Sequence, residues 1–132
     1  AYRNNLLTGI TELLVLSILN KMDSYIYEIV KLIANDSDNR LTLSSNTVYA
    51  SAYKLEQAQM ISEYSKLVGK KMNCSQINLK QFCTVRKKRT RIYYHIEPKG
   101  REHLKELQTS YTNMTMGVQR IFDKLGGSEA NE

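Results

Sequence analysis

Cys74, Cys83, His95 and His103 are the side chains in this 132-residue sequence best suited to metal or redox chemistry. Their spacing argues against a metal. C-x8-C and H-x7-H match no compact zinc knuckle, and the two histidines fall in segments of different periodicity. No metal and no other cofactor are expected. The cysteines read as free structural thiols; the alternative is a redox pair, because Lys70, Lys71, Lys80 and Arg86 to Arg89 would lower a nearby thiol pKa. Catalytic groups are scarcer still. There is no glycine-rich phosphate loop and no nucleophile elbow, and Glu97, Glu102 and His103 stand where carboxylates complement a helix start. A binding protein is expected rather than an enzyme.

The charge indicates what is bound. The net charge is +6, yet Lys66, Lys70, Lys71, Lys80, Arg86, Lys87, Lys88, Arg89 and Arg91 fall between positions 66 and 91 without one acidic residue among them. The rest of the chain is net negative. A neutral-to-acidic body with one strongly basic segment suits a polyanion, since releasing counterions from phosphates drives such binding; the alternative is a solvated charged loop. Length and a 42% apolar composition fit one domain. The longest aliphatic run, Leu13 to Leu16, is far short of the roughly 20 residues that span a bilayer, and no secretory signal is visible. The expectation is a cytoplasmic protein with no membrane partner.

Hydrophobic periodicity supplies the elements that carry these charges. Leu6 to about Lys21 is apolar on more than one stripe, which predicts a helix buried on two sides, the second face needing a partner beyond so small a domain. Asp23 and Ser24 are expected to cap a second helix with Ile26, Ile29, Val30 and Ile33 on one face, ended by Asn35 to Asn39. Ser44 is expected to cap a third, with Leu43 and Val48 as a hydrophobic staple and Val48, Ala52 and Leu55 facing inward. That leaves Ser45, Asn46, Tyr49, Ala50 and Tyr53 outside, a face of small polar groups and tyrosines that suits a groove. Ile61 to Val68 and Arg91 to Ile96 read as strands of a hairpin joined by residues 69–90, much longer than the usual two to five residues. Pro98 opens a last helix expected to stop at Gly126 and Gly127. Its Leu104, Leu107, Tyr111, Met114, Val118, Ile121 and Leu125 alternate at three and four residues, the seam of a coiled-coil-like pair.

Three helices, a strand, a basic wing, a strand and a long helix make a winged helix-turn-helix: mainly α with a two-stranded hairpin and a C-terminal dimerisation helix. The stretches Leu13 to Leu19, Tyr25 to Ile29, Leu43 to Tyr49, Lys54 to Glu56 and Arg91 to Gly100 resemble, in order and spacing, the PadR family of bacterial transcription regulators. The likeness covers about positions 10 to 122 and is most specific in Ser44-x-x-Thr47-x-Tyr49 taken with Tyr93-Tyr94 and Lys99-Gly100. It implies a homodimeric repressor of the short type with a single C-terminal helix, nucleoid-associated through an inverted-repeat operator in double-stranded DNA and released by a small-molecule effector or other signal. The chain departs from the family at Ile26 and Gln59, both usually glycine, at Ala52, more often leucine, and in its longer wing. It has no tryptophan, so the aromatic sandwich of some drug-sensing relatives does not carry over.

The expected division is a DNA-binding unit at 1–96 with an extended wing at 69–90, a dimerisation helix at 97–125 and a flexible tail at 126–132. Expected DNA contacts are Ser45, Asn46, Thr47, Tyr49, Tyr53 and Lys54 on the third helix, and Lys66, Lys70, Lys71, Arg86, Lys87, Lys88, Arg89 and Arg91 on the wing. Expected dimer contacts are Leu6, Ile10, Leu104, Leu107, Tyr111, Met114, Val118 and Ile121. The competing function is a ligand-sensing or protein-interaction adaptor that keeps the winged helix without DNA binding, for which acidic residues between Ser45 and Lys54 would be tolerated; there are none.

Overall fold

In the computed structural model, residues 4–69 and 89–130 are described, without the side chains of residues 4–6, 8 and 127–130. The order is α1 (Asn4–Lys21), α2 (Ile26–Asp36), α3 (Ser45–Gln57), β1 (Ile61–Val68), β2 (Arg89–Ile96) and α4 (Pro98–Ala130). This is the mainly α winged helix with a two-stranded hairpin and a long last helix that the sequence predicts. The strands pair antiparallel from Ile61 opposite Ile96 to Val68 opposite Arg89.

Leu13, Val15, Leu16 and Leu19 of α1 form the core with Ile29, Ile33, Val48, Leu55, Ile61, Tyr94, Ile96 and Leu104. Here the expectation for α1 is corrected. From Leu13 to Leu19 its apolar surface is met within the chain, because α2, α3, β2 and α4 all pack against it, while Leu7 and Ile10 nearer its start stay half-buried. Leu104 is corrected with it: at 4% exposure it is core, and Leu107 packs partly buried beside it, so the opening turns of α4 cover their own body rather than a seam.

The caps show where local chemistry decides. The Ser44 hydroxyl accepts from the Thr47 N–H at 3.2 Å, as its sequence position predicts. At the other end of α3, Gln59 adopts φ 63°, with its N–H donating to the Glu56 carbonyl and that of Met60 to Leu55. This is a Schellman closure with glutamine in the left-handed position that glycine favours. Asp38 and Asn39 close α2 in the same way. The cap expected from Asp23 and Ser24 is not formed: Tyr25 holds the N-cap position without a side-chain bond. Ser24 is fully buried and exchanges backbone hydrogen bonds with Tyr94, which recruits it as a third strand's single rung.

The hairpin delivers the chain into α4 at a close approach. The Glu97 N–H donates to the Met60 carbonyl at 2.9 Å, and the Ser62 hydroxyl donates to the Glu97 carboxylate at 2.6 Å. Gly100 lies against that same carbonyl and the Ile96 side chain, with no room for a Cβ. The C-terminal boundary is corrected too: α4 runs through Gly126 and Gly127 to Ala130, so residues 126–130 are helix rather than tail. Glycine stops a helix when it turns left-handed, and no described glycine has positive φ.

Candidate nucleic-acid interface

The inward stripe Val48, Ser51, Ala52 and Leu55 fixes the roll of α3 and thereby what it presents. Ser45, Asn46, Tyr49, Tyr53 and Lys54 are exposed, the two tyrosines at 54% each. Thr47 differs from the other expected contacts. It is half-buried, with its hydroxyl 2.9 Å from that of Ser44, so it braces the cap that sets the helix's entry. The exposed face carries no carboxylate before Glu56, whose acid is pushed up by burial and by the neighbouring Glu63 charge.

The hairpin brings the wing's described cations to one face. Lys66 is directly opposite Arg91, and Tyr64 opposite Tyr93, one step nearer the body. Tyr93 stacks on Tyr64 at 5.8 Å and meets Tyr25 edge-on at 5.4 Å. Lys66 Nζ lies 5.3 Å from the Tyr93 ring and the Arg91 guanidinium 4.0 Å from that of Tyr25. These cation–π contacts hold long, flexible side chains near the surface of the hairpin. Arg89 is exposed at the last rung of the ladder. Lys70, Lys71, Arg86, Lys87 and Lys88 lie outside the described residues, as do Cys74 and Cys83.

A feature the sequence reading missed ties this patch to the body. The Asp23 carboxylate accepts from the Tyr64 hydroxyl at 2.7 Å and lies 2.8 Å from His95 Nδ1. Burial alone would raise the Asp23 acid, but the bonds from His95 and Tyr64 and the His95 charge outweigh it and hold the carboxyl below its usual range. The same bond raises the Tyr64 phenol. On the opposite face Tyr94, with its phenol pushed up to about 12 chiefly by burial, sits in the core. The period-two alternation of Arg91, Tyr93 and His95 was the available signal; Asp23, the partner of His95 and 72 residues earlier in the chain, left none.

The expected dimer residues divide. Ile10 is half-buried, Leu104 and Leu107 belong to the body, and the side chain of Leu6 is not among those described. Tyr111, Met114, Val118 and Ile121 are 41 to 59% exposed, and Leu125 continues their stripe at 64%. Among the described residues no cluster of three or more potential metal ligands occurs, and no helix is long and apolar enough to cross a membrane.

No family model matches the chain, and no curated protein does. Solved structures do. A transcriptional regulator from Clostridium thermocellum superposes with a TM-score of 0.68 over 88% of this chain and 93% of that one, at 22% identity. A protein of Streptococcus mutans UA159 gives 0.65 over 88% and 89%, at 26% identity. A PadR family transcription regulator from hypervirulent Clostridium difficile R20291 gives 0.62 over 86% and 99%, at 20% identity. The chain is therefore PadR-like in fold, a winged helix-turn-helix continued by a long C-terminal helix.

Proposed function

We propose that this chain is a homodimeric, sequence-specific DNA-binding regulator of transcription, a repressor released by a signal, and not an enzyme. The observation that carries the reading is the outer face of α3, where Asn46, Tyr49, Tyr53 and Lys54 stand exposed with no acidic residue from Ser45 to Lys54. Asparagine can bond the edge of adenine in the major groove, while phenols and lysine bind phosphates and set the register. Lys66, Arg89 and Arg91 extend the positive surface onto the hairpin. The similarity to structures described as transcriptional regulators supports the same reading.

Dimerisation is proposed through Tyr111, Met114, Val118, Ile121 and Leu125 of α4. An apolar stripe of this length on an exposed helix is costly in water and is covered economically by a second copy. A twofold pair of α3 helices then reads half-sites about one DNA turn apart, roughly 34 to 36 Å. The test is fluorescence anisotropy on DNA from upstream of the protein's own gene, titrated with salt. If the dimer neutralises about six to ten phosphates, affinity falls about 10³ to 10⁵-fold between 50 and 200 mM salt. Asn46→Ala should narrow the gap between operator and random DNA by about 1 to 3 kcal/mol, and a wild-type chain with no preference for any upstream sequence would defeat the reading.

A further inference from the structure

Between α1 and α3 lies an open cleft of about 350 Å³, at the small end of the roughly 300 to 1,000 Å³ usual for ligand sites. All its lining side chains but Ala50 carry a polar or charged group, of both signs, although carbon atoms make up most of the exposed wall. Glu12 comes from α1 and Lys54 from α3, and the two are not paired with each other. Lys54 has no salt bridge among the described residues, and the Glu12 carboxylate is hydrogen-bonded to His103 Nε2 through one oxygen, at 3.3 Å. Thr11 is nearly fully buried and donates its proton to the Leu7 carbonyl, which leaves its oxygen free to accept. Ser51, 7% exposed, lines the cleft, and its buried hydroxyl has no partner among the described residues, an arrangement that folding normally avoids. Ala50 keeps the space open between them.

We propose that this cleft binds a small zwitterion, with free α-amino acids as the fitting class, and that occupancy excludes DNA from α3. The chemistry narrows the choice. No aromatic or large aliphatic side chain lines the cleft, so a planar apolar drug gains little there. A phosphate is repelled by Glu12 and a polyamine by Lys54, whereas an amine and a carboxylate on one molecule satisfy both. The exclusion rests on the DNA-binding reading above: Asn46 and Lys54 line the cleft and belong to the α3 surface assigned to DNA, so one occupant removes them from the other.

Calorimetric titration of the full chain without DNA, using each free proteinogenic L-amino acid up to about 10 mM, should find at least one that binds with Kd of about 1 mM or tighter. Its N-acetylated and decarboxylated forms, each lacking one charge, should bind at least about tenfold more weakly. Glu12→Gln should weaken the amino acid by a similar factor, and Ala50→Met, which fills the cleft without altering charge, should abolish binding while circular dichroism stays unchanged. Competition is read by anisotropy, with the amino acid releasing operator DNA from the wild-type chain and, at the same concentration, not from Glu12→Gln, whose changed residue lies on α1 outside the surface assigned to DNA. Absence of any amino-acid binding in a chain that still binds operator overturns the site and leaves the DNA reading intact. Equal binding of the acetylated or decarboxylated form overturns zwitterion recognition, and simultaneous binding of amino acid and operator overturns the exclusion. Amino-acid binding by a chain that recognises no DNA supports the site and overturns the proposed function.

Discussion

The opening turns of α4 and the turns that follow share one apolar spacing and differ in what covers it. From Pro98 to Leu107 the helix is fastened: Glu97 bonds the Met60 carbonyl, Gly100 abuts it, and Leu104 is buried in the core. From Tyr111 to Leu125 the same three-and-four alternation stands 41 to 64% exposed. A heptad stripe therefore reports that a helix has an apolar face without reporting whose surface completes it. The fastened part is stabilised by its own chain at any concentration. In the proposed dimer the outer part is stabilised by mass action with its partner.

The largest effect should come from the outer part. Met114→Asp, or Val118→Asp, places an unpaired carboxylate in the proposed seam, where burial of a charge costs several kcal/mol, and sedimentation should show a monomer whose thermal stability no longer varies with concentration. A variant that stays dimeric and binds operator normally would move the seam elsewhere. A smaller effect is expected at the fastened end. Gly100→Ala forces a methyl group against the Met60 carbonyl and should cost about 1 to 3 kcal/mol in denaturant unfolding, with dimerisation less affected than the fold. Equal loss of both would mean that the two parts act as one unit. The smallest effect sharpens the link between α3 and that fastening. Gln59→Gly relieves a left-handed residue beside Met60 and should stabilise the chain by about 1 kcal/mol, without changing its affinity for DNA.

Sequence alone carried far wherever a few neighbouring residues decide the structure. Ser44 and its staple placed α3 within one turn, and a run rich in β-formers placed β1 at Ile61–Val68. It fell short where distant partners decide. Asp23 and Ser24 have the chemistry of a helix cap, but His95, Tyr64 and the backbone of Tyr94 claim them first, and nothing near them in sequence announces that competition. Leu104 failed for the reason already given, that periodicity is blind to which molecule covers a face. Gly126 and Gly127 misled because glycine's intrinsic cost in a helix, about 1 kcal/mol, weakens a helix without ending it. The outer face of α3 was legible because it is the complement of a short, strict apolar stripe. The aromatic and cationic face of the hairpin was legible only in part, since alternation gave one strand's members and the register supplied their neighbours.

The fastening of α4 also has a mechanical side. A helix of 33 residues is a rod about 50 Å long, and the part beyond Leu107 accounts for roughly 35 Å of it. Its pivot is the short segment where Met60, Glu97 and Gly100 meet, immediately beside the end of α3. A rotation of about 10° at that pivot swings the far end by roughly 8 Å, and in the proposed dimer, with the far ends clasped, the same rotation would be returned to the two bodies. The proposed dimer would then work as a pair of tongs, in which a small angular change at the hinge resets the distance between the jaws.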